Sequence, residues 1–378
     1  MNMFLARDNF GRGGFSGRVA AVPLPLVLAV AALAFVGFAA LYSAAGGDWD
    51  PWARQQAIRF AIGFILMLAV ALSDLKWIYR LAYPFWAFCV ALLLFVEIKG
   101  VIGMGARRWI DLGFVNLQPS DLMKVAIVMA LARYYHALPP GRERRLRTLL
   151  VPALLTIVPV ALIVLQPDLG TSVMIVMVAA AMVYIGGAPG WLFAGGFALF
   201  AAAVPTAYHF LHGYQKKRVM TFLDPESDPL GAGYHITQSK IAIGSGGFSG
   251  KGYLQGSQAH LNFLPEKHTD FIFTMIAEEW GFVGAIALLA LFSFILYQGY
   301  RVSLRARTQF GRLLALGLIT NYAIYIVINI GMVTGLMPVV GEPLPLISYG
   351  GTAMISTLFA FGLILSVAVN RNASLPRG

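Results

Sequence analysis

The sequence predicts an all-α polytopic membrane protein of about ten transmembrane helices, with N- and C-termini cytoplasmic and a large extracytoplasmic loop between spans seven and eight. Three observations predict it. Of 378 residues, 58% are apolar and 12% charged, against roughly 25% charged in an ordinary soluble domain. The apolar residues gather into runs of about 17–25, the length that crosses a hydrocarbon core of roughly 30 Å, where a soluble chain would interleave them with charge at helical spacing. Lys and Arg collect in alternate loops, as the positive-inside rule requires of a chain with an even number of spans.

The elements follow in order. The first residues, up to about Arg18, are polar and Gly-rich without a small-residue cleavage site, which reads as a short tail and not a cleaved signal peptide. Spans are expected near 20–43, 57–73, 78–97, 120–137, 149–166, 171–187, 190–210, 272–298, 313–336 and 344–369. The basic segments are the tail (Arg7, Arg12, Arg18), Lys76 and Arg80, Arg142 to Arg147, Arg301 to Arg312, and Arg371 with Arg377. All fall on one side if the N-terminus is cytoplasmic. That accounts for the net charge of +11 without nucleic acid, since no basic stripe interleaves with aromatics. Cys89 is the single cysteine, so no intrachain disulfide forms. The whole chain, 1–378, reads as one integral membrane domain.

The opposite face carries a loop at 103–118 with Arg107, Arg108 and Trp109, and a loop at approximately 211–270. Loops that long are functional or disordered. Mixed charge, aromatics and Gly/Pro punctuation predict an ordered, functional one.

Ionisable groups at membrane depth are expensive, each about 2.5–3.5 kcal/mol at a helix centre. Asp121 and Lys124 share a helix face at i,i+3, and Pro119-Ser120 fits a helix start. Two readings stand: a mutual ion pair that lets a helix end enter the membrane, or an acid and a cation lining a polar cavity. Asp168, in a Pro-Asp-Leu-Gly turn, suits a helix cap. Glu278 and Glu279, just inside the eighth span, read as interface markers. Ser348-Tyr349-Gly350-Gly351, after Pro343 and Pro345, predicts an irregular span entrance of the kind that lines cavities. Asp270, where the long loop meets the membrane, suits either a helix N-cap or a partly desolvated general base. His268 has no second His or Cys at ligand spacing, so a metal site is not indicated.

These residues resemble the SEDS (shape, elongation, division and sporulation) family of bacterial cell-wall polymerases over nearly the whole chain. The carriers are Arg108-Trp109-Ile110, Gln118 to Lys124, Gln166 to Thr171, Gln238 to Gly247, Leu264 to Phe273 and Pro343 to Gly351. Leu223-Asp224-Pro225, Gly250-Lys251-Gly252 and the short tail resemble the family's elongation branch more than its division branch. Two positions depart from the pattern: Asp121 stands where the family usually has Glu, and Glu342 where an apolar residue is expected.

The resemblance implies an inverting peptidoglycan glycosyltransferase of the bacterial inner membrane. It would polymerise lipid II, a disaccharide-pentapeptide on undecaprenyl pyrophosphate, during cell elongation. It would work with a class B penicillin-binding protein transpeptidase and other elongation-complex proteins. The family's essential acid corresponds to Asp270. Arg107, Arg108, Lys124, Arg218 and Lys267 would contact pyrophosphate or carboxylate, and Asp121, Glu266 and His268 would complete the substrate site. A divalent cation is compatible with the chemistry, although the sequence shows no closed ligand set. A lipid II flippase using Asp121 and Lys124, or the division-specific paralogue, are the alternatives; a scaffold explains neither the loop nor the intramembrane charges.

Overall fold

The structure is a computed structural model and describes residues 15–103, 106–111, 113, 116–139, 141–210, 216, 220, 224, 232–257 and 266–376. Arg7, Arg12, Lys217, Arg218, Leu264, Pro265 and Arg377 lie outside the described residues, and Arg107 is described by its backbone alone.

A short helix α1 (Phe15–Ala20) precedes α2 (Leu24–Ala44), α3 (Trp52–Ala71), α4 (Leu75–Lys99) and α5 (Pro119–Ala137). Then come α6 (Leu150–Leu165), α7 (Leu169–Ile185), α8 (Gly190–Phe210) and a shorter α9 (Ala232–Ser245). Helices α10 (Ile272–Arg305), α11 (Gln309–Val333) and α12 (Gly351–Val369) complete the bundle. Seven of these helices are long and apolar enough to cross a bilayer, and α5, α7 and α8 occupy the other three expected spans. The loop at 103–118 is not coil. Strands β1 (Val101–Gly103), β2 (Ala106–Asp111) and β3 (Asn116–Leu117) form an antiparallel sheet in which Ile102 pairs with Arg107 and Ile110 with Leu117.

The bundle is turned inside out relative to a soluble protein. Phe35, Ile65, Phe88, Leu154 and Phe197 are exposed, whereas Gln56, Lys124, Glu278 and Asn329 are fully buried. That is the expected arrangement when the solvent is hydrocarbon and only the protein interior can satisfy polar groups.

Proline shows the same rule at the backbone. A proline inside a helix leaves the carbonyl four residues earlier without its donor. Pro84 frees the carbonyl of Arg80, which accepts from Arg133 Nη1 at 2.9 Å. Pro159 frees that of Leu155, which accepts from Trp86 Nε1 at 3.1 Å. At both prolines a side chain from a neighbouring helix replaces the missing donor, and these bonds tie α4, α5 and α6 together. Just before α6 the Thr148 carbonyl accepts from the Tyr134 hydroxyl at 2.6 Å.

The basic segments meet at one end. Arg18 Nη1 donates to Leu72 O, Asn370 Nδ2 donates to Ser73 O, and Arg307 N donates to Arg371 O. The ends of α1, α3 and α12 and the start of α11 therefore share the basic face, as the expected topology requires.

Two expectations are corrected. The last span begins at Gly351, not near 344, because residues 344–350 are non-helical. The eighth span is broken: Gly281 at φ 65°, ψ −163° separates a buried entrance segment from a long lipid-facing helix. The break exposes backbone groups, and the stretch after α9 satisfies them. Lys251 N and Gly252 N donate to Glu278 O and Glu279 O, while Phe282 N and Val283 N donate to Gly247 O and Phe248 O.

Candidate active site at the face opposite the basic end

Asp270 lies just before α10. The N-cap position of that helix is Phe271, with no side-chain cap, so Asp270 is not the capping residue. Its carboxylate instead lines a cavity of about 160 Å³ between the β-sheet, the α5 and α7 entrances and the segment leading into α12. Gly341 closes against it: a Cβ built on Gly341 would stand 3.4 Å from Asp270 Oδ2, and the glycine has φ +80°. A Cβ there would touch the carboxylate without clashing, and the left-handed φ would strain any residue but glycine.

The irregular segment before α12 fixes the backbone that carries Asp270. Tyr349 N donates to His268 O at 2.8 Å, and the Ser348 hydroxyl donates to Thr269 O at 2.6 Å. Asn329 Nδ2, fully buried on α11, donates to both Asp270 O at 3.0 Å and Glu342 O at 2.8 Å. Gln56 Nε2 donates to Ser348 O at 2.8 Å. Non-helical backbone at this depth is thus satisfied by protein, and these bonds set where the carboxylate stands.

Arg108 is the one cation among the described residues that line the cavity; Asp121, Asp168, Glu266, Asp270 and Glu342 line it as well. Its guanidinium is held from behind: Nε donates to Gln166 O at 3.1 Å, Nη2 donates to Pro167 O, and Nη1 lies 3.7 Å from Asp168 Oδ2. Asp168 is also the cap expected from its turn, accepting from Thr171 N at 3.2 Å. It serves both α7 and Arg108. Gln118 N donates to Thr352 Oγ1, which donates to Asn116 O, anchoring the sheet to the α12 entrance.

Asp121 and Lys124 stand together as their spacing requires, with Lys124 Nζ 3.3 Å from Asp121 Oδ1. The ammonium is 1% exposed and does not reach the cavity wall. It sits beneath the wall, donating to the Tyr325 hydroxyl at 2.5 Å and to Glu342 Oε2 at 2.9 Å. Glu342, without a role at the level of sequence, is therefore the nearest carboxylate to the most buried lysine. Burial pushes the Glu342 carboxyl above the ordinary glutamate value, and the Lys124 ammonium opposes that shift.

The remaining expected residues separate. Glu266 lines the cavity and accepts from the Thr269 hydroxyl at 2.8 Å. Lys267 is buried off the cavity, and desolvation lowers its pKa below the usual lysine value. His268 stacks on Trp52 with ring centroids 4.3 Å apart and packs against Tyr349. Burial lowers its pKa, against an opposing push from Glu266. Glu278 and Glu279 are not interface markers: both are buried. Glu278 pairs with Lys251 at 2.6 Å, and Glu279 accepts from the Ser43 hydroxyl at 2.5 Å. Thr171 ends the Gln166 to Thr171 motif without a role of its own in the sequence, and Asn329 has none there; a polar residue in an otherwise apolar span is its available signal. Among the described residues, no group of three or more His, Cys, Asp or Glu is disposed to hold a metal ion.

The arrangement offers a carboxylate in a water-accessible cavity at the membrane edge, with one anchored guanidinium on the same wall. It can take a proton from a hydroxyl and meet an anionic group. Comparison with known proteins adds the following. The chain matches the FtsW/RodA/SpoVE cell cycle protein family over residues 24–373. It is 41% identical to the peptidoglycan glycosyltransferase MrdB of Escherichia coli, covering 96% of this chain and 98% of that one. It is 36% identical to the stage V sporulation protein E of Bacillus subtilis, covering 91% and 96%. Among solved structures, a chain of a peptidoglycan synthase complex that coordinates polymerization and crosslinking superposes with a TM-score of 0.83, at 34% identity over 93% of this chain and 99% of that one. The rod shape determining protein RodA of Thermus thermophilus superposes with a TM-score of 0.71, at 30% identity over 93% and 98%.

Proposed function

The chain belongs to the FtsW/RodA/SpoVE family of cell cycle proteins, and from that premise we propose that it polymerises lipid II at the outer face of the bacterial inner membrane, with Asp270 as general base. It is a multi-pass membrane glycosyltransferase of peptidoglycan synthesis. In the proposed step Asp270 takes the proton from the 4-hydroxyl of one glycan unit while that oxygen attacks the anomeric carbon of another. The new glycosidic bond forms as the bond from that carbon to pyrophosphate breaks. Undecaprenyl pyrophosphate leaves with the electron pair, and the centre inverts. Arg108 faces the departing charge, which a preorganised cation stabilises most where water is scarce.

The observation that carries this reading is the Asp270 carboxylate on a cavity wall shared with Arg108. The described cavity is smaller than the roughly 300 Å³ at the low end of ligand pockets. It fits the reacting groups, with the rest of the sugar chains and the lipid outside it. Arg107, Arg218, Lys267 and His268 belong to the proposed substrate region by their place in the two outer-face loops. Lys124 acts through Asp121 and Glu342. A class B penicillin-binding protein and other elongation proteins are the proposed partners, since a matching chain comes from a complex that couples polymerization to crosslinking.

The test is reconstitution with lipid II in the outer leaflet and the cognate transpeptidase. General-base catalysis contributes about 10²–10⁴, so Asp270→Asn should lower the rate of glycan formation by at least about 100-fold with unchanged melting. Undiminished polymer from a well-folded Asp270→Asn protein removes Asp270 from the role of base. Loss of lipid translocation with polymerisation intact would point to the flippase.

A further inference from the structure

The two residues that depart from the family pattern meet on one ammonium. Asp121 approaches Lys124 from one helical turn earlier on α5, and Glu342 approaches it from the segment after α11, 218 residues along the chain. Glu342 is closer: its two oxygens stand 2.9 and 3.2 Å from Nζ, against 3.3 Å for Asp121 Oδ1. All three groups are at least 95% buried.

Glu342 also reaches past Lys124. The Thr171 hydroxyl lies 2.8 Å from Glu342 Oε1 and 3.0 Å from Asp168 Oδ2. With a single proton it donates to one of them at a time. Asp168 stands behind Arg108. A continuous chain therefore runs from Lys124 through Glu342, Thr171 and Asp168 to the guanidinium on the cavity wall. Among the described residues, Asp121 makes no hydrogen bond to α7. Among those residues, its other hydrogen-bonding contact is the Tyr325 hydroxyl, at 3.5 Å.

We propose that Glu342 is a positioning residue in this protein, supplying from the α11–α12 segment the carboxylate reach that Asp121 is one methylene too short to provide, and thereby holding Lys124 and the Asp168–Arg108 arm in register. Burying a second carboxylate beside one ammonium is expensive unless every group is hydrogen-bonded. Here each Glu342 oxygen has a donor, and its backbone carbonyl accepts from the same Asn329 amide that holds Asp270. The segment that places Glu342 also places the carboxylate proposed as base.

The experiment is a double-mutant cycle of Asp121→Glu and Glu342→Val in the full-length protein with its transpeptidase partner. It is read by glycan formation from lipid II and, separately, by thermal unfolding in detergent. Glutamate at 121 beside an intact Glu342 crowds two long carboxylates onto one ammonium. Valine at 342 alone leaves Lys124 with the longer contact. Each single change should lower the rate, and the pair should recover it, with a coupling of at least about tenfold, inside the range for residues of one salt-bridge network. Glu342→Gln, which keeps the shape and the Thr171 contact, should melt like the parent and still lose rate. A purely structural carboxylate would instead leave Glu342→Gln fully active. Additive single effects, or an unimpaired Glu342→Val protein, would overturn the proposal. The rate arm rests on the polymerase reading and the melting arm does not. Should the parent make no polymer, that reading fails, and the melting cycle alone decides the carboxylate exchange: recovery in the pair supports it, additivity refutes it.

Discussion

Two buried acidic clusters lie in the half of the bundle away from the basic end, and they put charge to different uses. One joins Lys124, Asp121, Glu342 and, through Thr171, Asp168 and Arg108. The other joins Lys251 to Glu278 and Ser43 to Glu279 at the break in α10. Carboxylates of the first line the Asp270 cavity, and no residue of the second does. The second is sealed by backbone: a Cβ on Gly281 would stand 2.2 Å from Gly250 N, and one on Gly250 2.0 Å from Glu279 O. A buried charge is thus not by itself a mark of chemistry. The cluster at the break repairs a helix interrupted inside the membrane protein, and the cluster at the cavity holds groups where a substrate can meet them.

The comparison is broken most severely at the sealed cluster. Gly281→Ala places a methyl group into the backbone of Gly250 and forces an L-residue into a conformation that only glycine adopts readily. Strained backbone of this kind costs about 1–3 kcal/mol before any clash, so the variant should fail to accumulate as folded protein, checked by size-exclusion of the detergent extract. A monodisperse, normally melting Gly281→Ala protein would show that the break is not held as described.

Lys251→Met ranks next. It removes the cationic partner of a fully buried glutamate that also accepts from the Ser257 hydroxyl, a change worth about 3–5 kcal/mol for a fully buried pair. Lys251 is itself 29% exposed, which reduces the expected loss to about 2 kcal/mol. Melting should fall while the rate per folded molecule holds. A lowered rate at unchanged melting would erase the distinction between the clusters.

Lys124→Met is the mirror experiment. The deleted ammonium sits beneath a cavity that Asp121 and Glu342 line, so both carboxylates can draw on water and protons there. The protein should insert and purify, yet lose polymerisation per folded molecule by at least about tenfold. A fully active variant would make Lys124 structural and place both clusters in one class.

Much of this was legible in the sequence because hydrocarbon imposes simple rules. The length of apolar runs and the side taken by arginines gave ten helices and their alternation. Asp168 as a cap and the irregular entrance before Gly351 followed from Pro, Gly and Asp chemistry. What was not legible depends on which segments meet. Glu342 looked anomalous because its partner lies 218 residues away. Glu278 and Glu279 looked peripheral because nothing local announces that Gly281 breaks the helix behind them. Pro84 and Pro159 interrupt helices whose lost bonds are replaced by Arg133 and Trp86 from other helices. Asp270 as the base came from resemblance; spacing alone left the N-cap equally open, and Phe271 occupies that position.

The smallest effect belongs to His268, a titrating group of the cavity region with no histidine equivalent at the described helix break. It is sandwiched by Trp52 and Tyr349, with Glu266 and Lys267 beside it and the Arg59 guanidinium over the far ring of Tyr349. Burial lowers its pKa below the unfolded value near 6.5, so around that value the unfolded chain binds more protons than the folded one. Stability from the neutral ring is therefore complete above about pH 6.5 and is lost as pH falls through the lower folded value. Between pH 7.5 and pH 5 the parent should lose stability relative to His268→Phe, which keeps the stack without the proton. Parallel melting curves for the two proteins across that interval would mean that the ring is already charged, or that its burial costs nothing. The cavity region would then have no pH response from this ring to set it apart from the sealed one.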